Sequence, residues 1–404
     1  MLSPLAAYLA FTGAEALAFR LVFTVQAVYC VQELQLTPLH LVLIGTVLEA
    51  ACFLLEVPTG VIADTYSRKL SVILGCVFLG ASFLLIGSVP AFAAQVIAAL
   101  GYTCLSGALN AWITDETSES TVGALFLRGS QVARVLGILG IIAAALLGSV
   151  SLQLPILTGA VIMLALAVLL AVRMPEQNFR REQHGYSLSG MTGTFLHGVR
   201  AVRARPLLLT LLLVAALYGA STEAYDRLWE YHLLQSFTFP AWPGMKPVTW
   251  FAAIELAGLL LGLLVTGVLR GRVDTAGTTG IARSLATLTA VGMLGALAFA
   301  FAGHLWLALA AMWLVDLARG IYGPLYDAWL NQGLGARSRA TVLSIAAQAD
   351  ALGQVAGGPA LGYLGNVSGV RWALAATALL RLPTLLLFTR GLRAERPNRF
   401  AGSD

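Results

Sequence analysis

Acids and bases stand inside apolar runs along the whole chain: Glu15, Arg20, Glu49, Glu56, Arg134, Glu223, Asp226, Glu255, Asp316, Arg319, Asp327, Asp350 and Arg381. An ionisable group in such a run is costly to place in hydrocarbon and is normally turned into a protein interior or a wet cavity. Two chemistries suit it. A carboxylate held away from water can take up a proton and release it again, and a carboxylate beside a guanidinium can form a pair that breaks and re-forms. Glu15 and Glu49 are central in their runs and available for proton exchange; the alternative for either is a lasting pair with Arg20 or Arg134 that locks helices together. Glu56, nearer the end of its run, reads as a structural partner. Asp316 and Arg319 are three residues apart, which puts opposite charges on one helix face as a local pair or as a gate. Glu223, Asp226, Arg227 and Glu230 recur at 3–4 spacing beside Trp229 and Tyr231 and read as one cluster, with Asp350 a further acid for the same cavity. His232 on its own reads as a buried, satisfied histidine.

Other chemistry has little to stand on. The histidines at 40, 184, 197, 232 and 304 lack ligand spacing, and Cys30, Cys52, Cys76 and Cys104 form no CxxC pair. There is no HExxH, no GxGxxG after a strand and no phosphate loop ending in Gly-Lys-Ser/Thr. The expectation is a protein that is not an enzyme, with no metal and no cofactor.

The elements that must position these charges are membrane spans. Of 404 residues, 58% are hydrophobic and 11% charged, about half the charge of a soluble domain. The mean hydropathy is +0.81. Crossing a hydrocarbon core of about 30 Å takes roughly 20 apolar residues as a helix, and these runs are too long for the alternating strands of a barrel. Spans are predicted at 5–28, 40–63, 70–88, 92–113, 126–148 and 154–172, then at 206–228, 249–269, 279–301, 305–328, 340–360 and 369–389. The chain thus divides into a six-helix bundle over 1–172, a cytoplasmic linker over 173–205 that has room for a short surface helix, a second bundle over 206–390 and a tail over 391–404. Spans three, six and nine carry no central charge and are expected at the periphery. The first span lacks a basic leader and a cleavage site and reads as a retained helix.

With the N-terminus inside, the inner loops and helix ends hold Arg68, Lys69, Arg128, Arg173, Arg180, Arg181, Arg200, Arg203, Arg205, Arg270, Arg272, Arg283, Arg337, Arg339 and the tail arginines, whereas the outer loops hold Lys246 and Arg371. This asymmetry predicts both termini in the cytoplasm. It places the formal charge of +5 against anionic inner-leaflet lipid and requires no nucleic acid.

Weak internal copies point to duplication. Thr59-Gly60-Val61 recurs as Thr266-Gly267-Val268, Ala111-Trp112 as Ala328-Trp329 and Thr121-Val122 as Thr341-Val342, in order and at matching places in the spans. The stretch from Glu56 to Lys69 has a glycine, an aspartate four on and a basic pair beyond it: Gly60, Asp64, Arg68 and Lys69, with Thr65 and Ser67 where arginine and glycine are usual. It resembles the inner-loop signature of the major facilitator superfamily. The second copy, Gly267-Val-Leu-Arg270-Gly271-Arg272, has glycine where Asp64 aligns. Ser106 to Glu116, and Arg337 to Ser344 followed by Gly357 to Gly362, look like bacterial drug-efflux-like members. Span five has Gly137, Gly140 and Gly148 but no proline of the antiporter signature.

The resemblance implies an all-α polytopic protein of twelve transmembrane helices in two bundles, moving cargo by alternating access. In it, Gly60 lets helices approach and Asp64, with Arg68 as counter-charge, holds one state at the cytoplasmic face. The leading expectation is proton-coupled antiport that exports a small amphipathic or hydrophobic organic compound from a bacterial plasma membrane as a monomer, with Trp313, Tyr322 and Tyr326 lining the cargo path. Proton symport or uniport of a nutrient is the alternative, and a non-transporting receptor or assembly factor is the alternative of another class.

Overall fold

The computed structural model describes residues 1–87, 91–179, 206–243, 245–269, 277–331 and 336–394. Most of the 173–205 linker, the second loop copy at Arg270 to Arg272 and the tail from residue 395 lie outside the described residues. Every element among the described residues is a helix: α1 Pro4–Gln32, α2 Pro38–Thr65, α3 Arg68–Leu85, α4 Ala91–Leu105, α5 Ala108–Glu116, α6 Glu119–Val150, α7 Gln153–Arg173, α8 Pro206–Ser236, α9 Pro247–Leu269, α10 Thr278–Ala300, α11 Leu305–Asn331, α12 Ala336–Val367, α13 Val370–Leu379 and α14 Leu382–Ala394. Among the described residues, eleven stretches are long and apolar enough to cross a membrane. Large apolar side chains such as Leu127, Val168, Leu264 and Leu386 stay exposed on them, a surface suited to lipid.

Two expected spans are divided. The fourth splits into α4 and α5 at Gly107, whose φ of 72° is in the left-handed region that suits glycine. The twelfth splits into α13 and α14 at Leu380–Arg381, just before Pro383, which has no N–H to offer the preceding turn. Thr384 repairs that break, its hydroxyl donating to the Arg381 carbonyl at 2.6 Å.

The contacts group the chain into two units. Unit 1 comprises residues 1–37, 43–187 and 239–256; unit 2 comprises 38–42, 188–238 and 257–404. In unit 1, α1 packs on α6 and α7, and α3 packs on α4 and α7. Its core holds Phe11, Leu79, Trp112, Met163 and Leu170, and a satellite core carries Val248 from the start of α9 against Leu21, Val25 and Ile156. In unit 2, α8 packs on α12 and on α13–α14, and α10 packs on α11 and on α13–α14. The partner scheme of unit 1 therefore recurs span for span.

Between lipid-solvated helices there is little hydrophobic gain, so close approach of small residues supplies the attraction. A Cβ on Gly140 of α6 would meet the Leu17 carbonyl of α1 at 2.8 Å. The corresponding contact in unit 2 is closer still. Any side chain on Gly353 would run into the Ala216 carbonyl of α8, and one on Gly357 would press on Ala220. These contacts bring the backbones of α8 and α12 together where their charged residues begin.

Candidate functional site

Unit 2 concentrates its ionisable groups on the facing sides of α8, α11 and α12. Asp226 of α8 grips Arg319 of α11 in a two-pronged pair, one prong running from Nη2 to Oδ2 at 2.8 Å and the other joining Nη1 and Oδ1. The bidentate geometry fits a planar guanidinium to a carboxylate better than any single contact can. The guanidinium also lies over the Tyr225 ring, 5.9 Å from its centroid. The expected i,i+3 pair between Asp316 and Arg319 is not formed: Arg319 reaches across to α8 instead, because the forked contact there is available and the neighbouring turn cannot offer one. Asp316 is exposed, and among the described residues it makes no hydrogen bond or ion pair, although Arg319 and Asp226 are the charges that act on it most.

The expected four-charge cluster of α8 also divides. Glu223, 3% exposed, accepts from Arg227 Nε at 3.1 Å one turn on, whereas Asp226 belongs to the Arg319 fork. Successive turns of one helix thus serve different neighbours. His232 is fully buried with both ring nitrogens engaged, by the Phe299 carbonyl at 3.2 Å and the Ser236 hydroxyl at 3.0 Å.

Beside the fork, the rings of Tyr218, Tyr322 and Tyr326 form a column. Tyr218 and Tyr322 are 4.8 Å apart and 4° from parallel, and Tyr322 and Tyr326 are 6.0 Å apart and 9° from parallel. The column walls a cavity of about 240 Å³ that Asp327 and Asp350 also line, with alanines and leucines closing the rest. Gln354 donates to Asp350 Oδ2 at 2.8 Å, and the Tyr326 hydroxyl donates to the Leu211 carbonyl at 2.8 Å. Arg381, 4% exposed, comes from the break between α13 and α14, passes Gly292, donates from Nε to Ser221 at 3.0 Å and rests 5.3 Å over the Tyr218 ring. An aromatic face and a hydroxyl hold this cation, which makes no ion pair among the described residues.

Unit 1 arranges its charges differently. Arg20 stands 3.7 Å from Glu255 of α9, and Thr24 donates to the same carboxylate at 2.7 Å. Arg20 therefore pairs with neither Glu15 nor Glu49. Arg134, the other expected partner, is exposed on α6 and makes no ion pair among the described residues. Glu49 is partly buried and has interactions of its own. Glu15 makes no hydrogen bond or ion pair among the described residues, and the groups its charge acts on are Tyr8 and Cys76.

At the α2–α3 turn, Arg68 is the hub. Its Nη1 binds Asp115 of α5 and donates to the Ala111 carbonyl at 3.0 Å, while its Nε is 3.9 Å from Asp64. The Glu176 carboxylate caps α3 by accepting from Ser67 Oγ at 2.6 Å and from the Lys69 backbone at 2.8 Å. Trp112 and Glu116 bind the same strap, the indole donating to the Pro175 carbonyl at 2.7 Å and Glu116 accepting from the backbones of Gln177 and Asn178. A side chain on Gly60 would meet nothing within 4 Å.

The family model described as Major Facilitator Superfamily matches residues 8–357 of the chain. The chain belongs to the Major Facilitator Superfamily. A curated relative, described as the uncharacterized MFS-type transporter YxaM of Bacillus subtilis (strain 168), is 24% identical over 355 residues, 87% of each chain. Among solved structures, the fold is similar to a POT family transporter in complex with a thioalcohol conjugated peptide (12% identity, 97% of this chain and 96% of that one, TM-score 0.73). It is also similar to the nucleoside transporter NupG (13%, 97% and 100%, 0.71) and to a bacterial homolog of the human lysosomal transporter Spinster (15%, 98% and 98%, 0.71). At these identities the likeness concerns the fold.

Major Facilitator Superfamily membership makes this chain a multi-pass membrane transporter with an all-α fold, and a transporter implies a small-molecule substrate and a lipid surround. Sequence reasoning left several groups out of the site. Asp115 belongs with Arg68, Glu176 with Ser67 and Lys69, Glu255 with Arg20, and Arg381 with Tyr218. Glu255 and Arg381 carried the signal that exposed the others, a charge inside an apolar run; their partners are over 150 residues away along the chain. No local spacing can identify such a pair.

Proposed function

We propose that this Major Facilitator Superfamily protein is a proton-coupled antiporter that exports a small amphipathic or hydrophobic organic compound. It works as a monomer in the bacterial inner membrane, with both termini cytoplasmic, and makes no chemical change to its cargo. The six-helix halves at 1–172 and 206–390 alternate access to the cargo site. Gly60, Asp64, Arg68 and Lys69 act as the gate at the cytoplasmic face. The observation that carries the reading is Asp316: an acid in the middle of α11, accessible, with no hydrogen bond or ion pair among the described residues, beside the Asp226–Arg319 fork.

A charged Asp316 competes with Asp226 for Arg319, and a proton on Asp316 ends the competition. Proton uptake thereby changes which helix Arg319 holds. The tyrosine-walled cavity supports a cargo with an apolar body. Glu15, with no hydrogen bond or ion pair among the described residues, is the second candidate for the coupled proton, and Glu49, central in its run, is the third.

The test uses purified protein in proteoliposomes, measuring pH-driven concentrative flux and substrate counterflow for Asp316→Asn, Glu15→Gln and Glu49→Gln. Asp316→Asn is expected to keep counterflow and lose concentrative flux, because a neutral side chain permits exchange but cannot carry a proton. Concentrative flux with unchanged pH dependence in all three variants overturns proton coupling. Accumulation of cargo in the direction of proton flow establishes symport in place of antiport.

A further inference from the structure

We propose that the end of α11 is a docking site for the chain beyond α14, residues 395–400, with the indole of Trp329 and the amide of Asn331 as its receptor. The inference is independent of the cargo and of the coupling ion. It starts from two buried polar atoms of unit 2. Trp329 is 2% exposed, and its Nε1–H has no hydrogen-bond partner among the described residues. The Oδ1 of Asn331 is buried and equally open, although Nδ2 of the same amide donates to the Asp327 carbonyl at 2.8 Å. A buried donor or acceptor normally has its partner, so a pair left open at one helix end is a place for another segment.

Unit 1 shows what fills such a place. Trp112, the repeat counterpart of Trp329, donates its indole N–H to the Pro175 carbonyl, and Glu116, one turn on, accepts from the backbones of Gln177 and Asn178. The occupant is the chain that has just left α7. Its carbonyls and amide hydrogens have no helix to satisfy them, and a donor and an acceptor on the end of α5 take them up. The end of α11 presents the same order, the indole donor of Trp329 first and the acceptor of Asn331 after it.

The corresponding chain in unit 2 is the one that leaves α14. Trp112 shares a core with Leu166 and Leu170 of α7, and Trp329 packs on the buried Phe388 of α14 with the rings 5.9 Å apart. Pro175 is the second residue beyond α7, which ends at Arg173; Arg396 and Pro397 are the second and third beyond α14, which ends at Ala394. The residue types agree as well: Arg173, Pro175, Asn178 and Phe179 recur in order as Arg396, Pro397, Asn398 and Phe400. A proline at this place offers no N–H to the carbonyls of the preceding turn and leaves them for another donor. Asp327, exposed one turn before Asn331, gives the arginines of the tail an anion. The carbonyl of Arg396 or Pro397 therefore belongs on Trp329 Nε1, and a backbone N–H that follows it on Asn331 Oδ1.

The experiment places the photoreactive residue benzoylphenylalanine at Phe400 of the full-length protein, irradiates it in detergent and maps the products by mass spectrometry. Cross-links to residues 325–331 of α11 are expected; cross-links only to the 173–205 linker, to unit 1 or to detergent overturn the proposal. Thermal unfolding supplies the second readout, on a chain stopped after Ala394, on Trp329→Phe, which keeps the ring and removes the N–H, and on the two changes combined. Each single change should lower the unfolding temperature by about 2–4 °C, and the combination by no more than the truncation alone. Additive losses mean that the indole and the tail do not meet, and overturn the proposal. A synthetic peptide of residues 395–404 should raise the unfolding temperature of the truncated chain and leave that of the truncated Trp329→Phe chain unchanged. An equal rise in both assigns the peptide to another site and overturns the contact.

Discussion

Arg319 has two carboxylates to choose from, one on its own helix and one across the gap on α8, and the choice follows from geometry. The forked grip of Asp226 satisfies two N–H groups at once, and Asp316 keeps its oxygens for other use. Loss of Asp226 therefore has a graded effect. In Asp226→Asn the guanidinium loses its anion but has Asp316 three residues away to turn to, so we expect a destabilisation of about 1–2 kcal/mol, toward the low end for a stranded partner. Asp226→Asn combined with Asp316→Asn removes both choices and should cost more than the sum of the two single changes. Thermal unfolding of the three variants in detergent measures this; strict additivity means that Arg319 does not move between the two acids. The charges were legible one by one in the sequence, since each interrupts an apolar run. Their pairing was not, because Asp226 to Arg319, Arg20 to Glu255 and Arg381 to Ser221 are matches made by helix packing across long stretches of chain.

At the scale of elements, the spans were readable because hydrocarbon thickness sets their length, and every expected run contains a helix. The breaks at Gly107 and Arg381 were written in glycine and proline but masked by the continuous hydropathy on either side. Packing depended on features that a hydropathy reading does not weigh, such as which glycines face a neighbour. Gly353 and Gly262 make the contrast testable. Gly353 faces the α8 backbone with no room for a Cβ, whereas nothing lies within 4 Å of a Cβ on Gly262. Gly353→Leu must push α8 and α12 apart, at a cost of about 1–3 kcal/mol or more, and should lower the unfolding temperature and the monodisperse yield. Gly262→Leu should leave both within about 0.5 kcal/mol of the parent. Fluorescence-detected size exclusion after heating distinguishes them, and equal behaviour of the two variants contradicts the close packing of α8 on α12.

For the whole molecule, the arginine distribution predicts which loops face the cytoplasm. Single cysteines at His184→Cys and Pro243→Cys, in a background lacking Cys30, Cys52, Cys76 and Cys104, should react with a membrane-impermeant maleimide from opposite sides: position 243 in intact cells, position 184 only after the membrane is opened. Reaction of both in intact cells overturns the orientation with both termini inside. The recurrence of one packing scheme in both units, α1 with α6 and α8 with α12, shows how faint sequence copies translate into a repeated architecture. The copies themselves fall at span ends and loops, such as Thr59-Gly60-Val61, because lipid-facing positions accept almost any apolar residue and so retain little trace of a duplication.

Unit 1 includes a segment, residues 239–256, that is made long after the rest of it, and that segment carries the only carboxylate within 4 Å of Arg20 among the described residues. Thr24 and Glu255 are 231 residues apart, so at ordinary elongation rates Arg20 enters the membrane on the order of tens of seconds before its counter-ion is translated. The nascent first half must spend that interval with a bare guanidinium among lipids or in the insertion machinery. If the gene is cut within the 173–205 linker and the two pieces are expressed separately, the first piece alone should be degraded and be rescued when the second is supplied in the same cell. In Glu255→Gln the rescue should weaken, since the late-arriving half would bring no charge to complete the early one.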